Sequence, residues 1–300
     1  MKHCPVCKNE VEVSFTGLCP NSECGWEFEL FGGDLNQESQ RVYDIKLLKV
    51  KLVYENLRIG ITEKETKNNR IENYKPLNGG KYVGEIKDGK ADGLGILSYA
   101  NGDKYIGEFI NDEINGLGIF SLENGDKYKG TIKEGKLNGV GILYYASGDK
   151  YEGEFIDGKY HGHGTIFTKT GERYEGEFKN DKFDGHGKLY LANGNRYEGA
   201  FKNGEKNGYG TFYLPNGDKF EGDFKNDAKN GHGVLNLTSG DRLECEFNGD
   251  KPNGHGIYYY ASGEKWEGEF KDGLKNGAGI FYFANGNKLE CEFKDNKFIE

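Results

Sequence analysis

The stretch Tyr105-Ile106-Gly107-Glu108-Phe109-Ile110, then the mainly polar residues 111–115, then Gly116-Leu117-Gly118-Ile119-Phe120-Ser121-Leu122, decides the fold. Its side chains alternate with period two, which is the pattern of strands with two unlike faces. Tyr105, Gly107 and Phe109 fall on one face, and Ile106, Glu108 and Ile110 on the other. After the break, Gly116, Gly118, Phe120 and Leu122 fall together, opposite Leu117, Ile119 and Ser121. Residues 111–115 read as a loop between two strands. Asn124-Gly125-Asp126 reads as the tight turn that closes the hairpin unit, because Asn-Gly suits a backbone with positive φ.

This hairpin is not alone. Working outward, an aromatic or large apolar residue returns every 23 residues, at Tyr82, Tyr105, Tyr128, Tyr151, Tyr174 and Tyr197, then at Phe220, Leu243, Trp266 and Leu289. A fixed period of this length marks a stacked repeat array, in which each unit buries its apolar face against its neighbours. Two strands per unit at about 4.8 Å each give a sheet on the order of 90 Å across its strands. Gly93, Gly95 and Gly102 are repeated as glycine in every later full unit. A ring on one strand can then lie over bare backbone on the next. Leu243-Glu244-Cys245 and Leu289-Glu290-Cys291 depart from the pattern together: the ring shrinks to Leu where the glycine grows to Cys. Such a swap keeps the packed volume, which reads Cys245 and Cys291 as buried filler.

The segment Tyr151-Glu152-Gly153-Glu154-Phe155-Ile156-Asp157-Gly158, followed by Gly162-His163-Gly164, resembles the membrane occupation and recognition nexus (MORN) repeat. The resemblance covers residues 79–300, as nine full units and a final half. It implies an elongated, twisted single-layer sheet that serves as a scaffold or interaction surface, dimeric in some members, with phospholipid binding as a further role. It brings no catalytic residue.

At the other end of the chain, Cys4-Pro5-Val6-Cys7 and Cys19-Pro20-Asn21-Ser22-Glu23-Cys24 space four thiols in two short loops. Four such ligands suit a tetrahedral zinc ion, and metal binding supplies the folding energy that so short a segment lacks. The arrangement resembles a zinc ribbon, with Trp26, Phe28 and Leu30 as a strand-like tail and a second knuckle longer than usual. A redox dithiol is the weaker alternative. With Cys4, Cys7, Cys19 and Cys24 all committed, Zn2+ is structural and has no position open for catalysis.

Between the two, Val42, Ile45, Leu48, Leu52 and Tyr54 recur at roughly helical spacing, predicting a helix over residues 37–59. Its apolar stripe either covers the ribbon or an edge of the array, or docks a partner. Residues 62–75 are polar linker, closed by Pro76. The expected fold is therefore mainly β, an elongated single-layer antiparallel meander of hairpin repeats preceded by a small zinc ribbon and one α-helix. Its divisions are 1–31, 32–76 and 77–300.

Composition bounds the function. Residues 77–300 carry 29 basic against 37 acidic groups, and the whole chain has net charge −9. This weighs against nucleic-acid binding, including by the ribbon, and against anionic lipid. No apolar h-region follows Met1 and the cysteines cluster as metal ligands do, so a cytoplasmic location is expected. His163, His186, His232 and His255 form a column with neighbours about 10 Å apart, too far to share a metal ion. Glu108, Glu154, Glu177, Glu246, Glu269 and Glu292 are expected to form cross-strand ion pairs with Lys133, Lys179, Lys202, Lys225 and Lys271. The sequence thus points to a non-enzymatic scaffold or adaptor that binds proteins, with a homodimer formed through free edges or faces as a further expectation. Peripheral membrane binding and nucleic-acid binding are the alternatives, and no small-molecule substrate is expected.

Overall fold

The computed structural model describes residues 80–299, together with two short strands, β1 (Lys2–His3) and β2 (Glu10–Val11). The chain divides into two compact units, Met1–Asp44 and Ile45–Glu300. In the first, β1 pairs antiparallel with β2. Cys4, Cys7, Cys19, Cys24 and the helix expected at 37–59 lie outside the described residues.

In the second unit the alternating pattern produces twenty strands, β3 (Lys81–Lys87) to β22 (Lys297–Phe298), each hydrogen-bonded to its neighbours in chain order. Among the described residues β3 pairs only with β4 (Lys90–Ser98), and β22 only with β21 (Lys288–Lys294). The sheet is therefore open. Nine hairpins with arms of seven and nine residues are followed by the shortened pair β21 and β22. The final half unit thus has a partner that the sequence reading did not foresee: β22 pairs with Phe293 and Lys294 and leaves the rest of that edge of β21, the edge away from β20 (Leu274–Tyr282), without a described strand beside it.

The hairpin of β5 (Lys104–Ile110) and β6 (Glu113–Ser121) shows how a unit is built. Its arms are joined by Asn111–Asp112 alone, with φ of +50° and +74°. Two consecutive positive φ values in a two-residue turn follow the type I′ pattern, whose twist matches that of the strands. The expected loop over 111–115 is therefore wrong, since residues 113–115 belong to β6. What disguised them is a bulge. Gly107 faces Gly118, but Phe109 faces Ile114, so one residue of β5 stands opposite three of β6. Gly116, at φ +119°, turns the chain within it. Alternation breaks wherever a strand carries such extra residues, and the break imitates a loop. Asn124-Gly125, expected as the tight turn, sits instead in the five-residue link Leu122–Asp126, closed by Leu122 N–H to Asp126 O at 2.9 Å and Gly125 N–H to Leu122 O at 3.0 Å. There only Gly125 has positive φ, at +95°.

Carboxylates stitch hairpin to hairpin along both rims. At the two-residue turns, Asp112 Oδ1 accepts from Ala91 N–H at 2.7 Å and Asp181 Oδ1 from Tyr160 N–H at 2.8 Å. At the links, Asp126 Oδ1 accepts from Ala146 N–H at 2.8 Å and Asp149 Oδ1 from Lys169 N–H at 2.9 Å. Acceptance of these bonds holds the Asp149, Asp218 and Asp241 carboxyls below the usual range.

Through the middle of the strands a line of glycines crosses the sheet at right angles to them. Gly84, Gly95, Gly107, Gly118 and Gly130 are successive cross-strand partners, and the line continues through later units with Cys245 and Cys291 as its interruptions. A Cβ on Gly118 would stand 2.3 Å from Tyr105 Oη, so the ring occupies the space a side chain would need. The other two repeated glycines serve other ends. Gly116 and its equivalents turn the bulge, and Gly125 and its equivalents turn the link.

Candidate interaction surface

Rings lying in this glycine trench define one face of the sheet. Tyr105, Tyr151, Tyr197, Phe220 and Trp266 are fully buried although the sheet is a single layer. Backbone closes each ring from below, and side chains close it on the flanks. Tyr151 meets Phe155 of its own strand and Phe178 of the next unit, both edge-to-face, at 5.1 and 5.2 Å between centroids. Tyr174 repeats this with Phe178 and Phe201, and Tyr197 with Phe201 and Phe224. The quadrupoles of the rings favour such contacts, each worth about 0.5–1.5 kcal/mol beyond burial.

The tyrosine hydroxyl has its own task. The bulge leaves a carbonyl on the shorter arm without a ladder partner, and Tyr82, Tyr128, Tyr151 and Tyr174 donate to it, three residues further on, at 2.8 or 2.9 Å. Burial, with Glu85 nearby, pushes the Tyr82 phenol up to about 12. Tyr105, Tyr128, Tyr174 and Tyr197 are also raised, chiefly by burial. Trp266 takes the same place but cannot reach the carbonyl in this way, and its buried Nε1 has no hydrogen-bond partner among the described residues.

What covers each ring changes along the sheet, and the sequence reading missed this. In two central units the cover is aromatic: Tyr160 stacks on Tyr151 and Phe183 on Tyr174, each at 3.7 Å. At the equivalent positions further on it is cationic. Lys206 Nζ stands 5.9 Å from the Tyr197 centroid, Lys229 Nζ 5.1 Å from that of Phe220 and Lys275 Nζ 5.1 Å from that of Trp266. Desolvation pulls the Lys229 and Lys275 ammonium groups below the usual lysine range. Reading the column Tyr160, Phe183, Lys206, Lys229, Pro252 and Lys275 at the repeat period would have shown the change. Beside the rings runs a row of partly buried apolar residues, including Phe120, Leu143, Ile166, Leu189, Phe212 and Leu235. Leu122, Tyr145 and Phe283, at the starts of links, extend it into solvent.

The opposite face carries the expected histidine column. His163 lies across from Glu177, His232 from Glu246 and His255 from Glu269. No group of three or more potential metal ligands occurs among the described residues. The acidic column does not form the expected pairs. Glu108 Oε2 instead accepts from Leu117 N–H at 2.8 Å and Glu177 Oε1 from His186 N–H at 2.9 Å, satisfying backbone donors that the bulge frees. The ion pairs run mainly along strands, in a neighbouring column, as Lys150–Glu152 at 2.9 Å, Lys219–Glu221 at 3.0 Å and Lys265–Glu267 at 3.3 Å. The same cations lie over rings one strand away, such as Lys150 Nζ at 4.3 Å from the Phe167 centroid and Lys265 Nζ at 4.2 Å from that of Tyr282. Of the chain's six cysteines, Cys245 and Cys291 are buried free thiols, as the filler reading required. Burial pushes the Cys245 thiol up to about 11.

Against known proteins, a family model described as MORN repeat matches residues 82–104, 105–127, 128–150, 151–173, 174–196, 197–219, 220–242, 246–265 and 266–288. The eighth match omits Leu243-Glu244-Cys245, where ring and glycine are exchanged together. No curated protein matches the chain. Among solved structures, the TCP10 domain of Danio rerio CPAP is 15% identical, with a TM-score of 0.39, covering 68% of this chain and 97% of that one. The TCP domain of Drosophila melanogaster SAS-4, in complex with a proline-rich motif of Ana2, is 17% identical, with a TM-score of 0.35, covering 52% and 85%. Virginiamycin B lyase from Staphylococcus aureus is 14% identical, with a TM-score of 0.15, covering 72% and 76%. At these identities and scores none of the three bears on function.

Proposed function

Starting from a chain that belongs to the MORN repeat family, we propose that it is a non-enzymatic scaffold whose ring face binds a protein partner along its length. One observation carries this reading: the apolar row beside the trench continues through hairpin after hairpin, and no described element packs over it. A continuous half-exposed apolar strip on a rigid support fits another polypeptide better than a small molecule. The amino-terminal segment serves as a separate docking module, held by Zn2+ on Cys4, Cys7, Cys19 and Cys24. The spacing of the four thiols, in two short loops of the kind that turn paired thiolates toward one ion, supports that ligand set. The protein works in the cytoplasm, where clustered thiols remain reduced for metal binding.

In-cell crosslinking mass spectrometry on the full chain, beside the variant Leu189→Glu/Phe212→Glu, tests the reading. A partner crosslinked to the ring face should be lost from the variant while its circular dichroism stays unchanged. Retention of every crosslink would defeat the proposal. Metal analysis should find zinc in the full chain and none in Cys4→Ser/Cys7→Ser.

A further inference from the structure

The ring face changes character along its length. In the second, third and fourth hairpins no charged side chain stands on its floor: Ile114, Leu137 and Tyr160 cover the rings, and Phe120, Leu143 and Ile166 form the row beside them. Leu122 and Tyr145 carry that row outward, at 37% and 36% exposed. From the sixth hairpin on, Lys206, Lys229 and Lys275 stand on the floor instead. The uncharged stretch is bounded by carboxylates on the link side. Asp103 accepts from Glu123 N–H in the next link at 2.9 Å, and Asp126 and Asp149 do the same for the third and fourth links. Glu123 and Glu172 join this line, and Lys169 is the only cation in the first four links. The line lies within electrostatic reach of the floor. Burial first and Asp103 second hold the Tyr99 phenol above its ordinary value, and burial, Tyr145, Asp181 and Asp149 do so for Tyr160. Each link is followed by a cation, Lys104, Lys127, Lys150 or Arg173, but these alternate onto the opposite face, where Lys150 and Arg173 pair with Glu152 and Glu175 at 2.9 and 3.6 Å. On the turn side charge is mixed: Asp112, Glu134 and Asp157 stand beside Lys133, Lys136 and Lys159, with Lys136 and Asp157 paired at 3.7 Å. The acidic line stops at the fifth link, which has Asn195 in the place of the carboxylate.

We propose that this stretch seats an amphipathic α-helix of a partner protein, about three heptads long, with its apolar stripe on the floor and Lys or Arg along the flank that faces the links. The inference rests on the scaffold reading above and narrows it to one kind of partner. Backbone chemistry selects a helix. Both edges of every strand here are hydrogen-bonded to the strands beside them, so the face offers no partner to a peptide group. An extended segment laid on it loses water from its own N–H and C=O groups without replacement, whereas a helix pairs them internally. Period agrees. Seven residues of helix rise about 10.5 Å with two apolar positions, and one hairpin advances the floor by about 9.6 Å with two of its own, Phe120 with Leu122 and Leu143 with Tyr145. Across three hairpins the two rows drift apart by only about 2 Å, which side chains absorb. Charge sets the flank. Five carboxylates against Lys169 attract cations to the link side and repel an acidic helix, while the mixed turn side selects neither sign.

The test is fluorescence anisotropy of the full chain with three labelled peptides, each about three heptads long. One has Leu at the a and d positions with Lys beside them, one has Glu in place of Lys, and one has the composition of the Lys peptide in scrambled order. The Lys peptide should bind about tenfold or more tighter than either of the others. Leu122→Ser/Tyr145→Ser should weaken it about tenfold, because the two side chains supply the exposed half of the floor. Asp126→Asn/Glu172→Gln, in which Asn keeps an acceptor for Ala146 N–H, should weaken it about threefold and flatten its dependence on salt. Unchanged β-sheet circular dichroism shows that the array is intact in both variants. No binding of the Lys peptide, as follows if a second copy or the chain itself already covers the stretch, would overturn the proposal. Equal binding of the Glu or scrambled peptide, or an affinity indifferent to either pair of substitutions, would overturn it as well. A cellular partner that crosslinks to these hairpins through an extended or acidic segment would remove this inference and leave the scaffold reading standing.

Discussion

Exchanging one unit's ring and glycine for the pair found in the eighth unit measures how tightly they are coupled. In the sixth unit, a Cβ on Gly199 would stand 2.5 Å from Gly210 Cα and 2.7 Å from Tyr197 Oη. Gly199→Cys alone must lift a fully buried ring and spread two strands, and overpacking of this severity costs about 3 kcal/mol. Tyr197→Leu alone leaves a cavity and deprives the Ala200 carbonyl of its hydroxyl donor at 3.0 Å, again about 3 kcal/mol. Together they recreate Leu243 and Cys245, which are 5% and 2% exposed in the native sheet, so thiol fills the space that the ring vacates. The double variant should lose about 3 kcal/mol rather than the additive 6 or so, a coupling near the upper end for residues in contact. Urea denaturation of the four proteins, followed by circular dichroism and compared at equal slopes, gives the cycle. Additivity within about 0.5 kcal/mol would refute the claim that ring and bare backbone are a single packing device.

Three further outcomes are expected. Glu134 holds φ +51° at a turn position that its equivalents fill with Asn, Asp or Gly, so Glu134→Asn should raise the denaturation midpoint by about 0.5–1 kcal/mol of stability. Stability should fall at both ends of the pH scale. The raised Tyr82 phenol favours the folded state fully below pH 10, and that contribution fades as pH rises toward about 12, so tyrosinate absorbance should appear together with unfolding. At the acid end, Asp149, Asp218 and Asp241 titrate below their usual 3.8, and their contribution, full above that value, disappears as pH falls through the lower folded values. Finally, chelation of the zinc-loaded chain should expose Cys4, Cys7, Cys19 and Cys24 to a thiol reagent while Cys245 and Cys291 react only after denaturation.

The sequence announces the repeat because the packing device needs two residue types at fixed places, a ring and a glycine, and both stand out from any background. The alternation of Tyr105, Gly107 and Phe109 therefore translated directly into a buried face. The bulge did not, because Glu113 and Asn115 are polar and the residues around Ile114 are out of phase with the rest of the strand, as a loop would be. The turn types were exchanged for a related reason: Asn-Gly satisfies either turn, and only the ladder shows which one has two residues. Ion pairs were misassigned because the acidic column was needed by backbone donors that exist only once the bulge has formed. The lysines over the rings escaped notice because they break no period. They change the chemistry of one column while leaving its spacing untouched.

Among the described residues, each strand of the sheet leans substantially only on its neighbours in the ladder. Length is then a free variable for evolution. Duplicating or deleting one stretch of 23 residues shifts the far end by roughly 10 Å and leaves every other hairpin in the environment it already had. Such a molecule is a ruler graduated in hairpins, able to match the separation of the things it holds by gaining or shedding graduations.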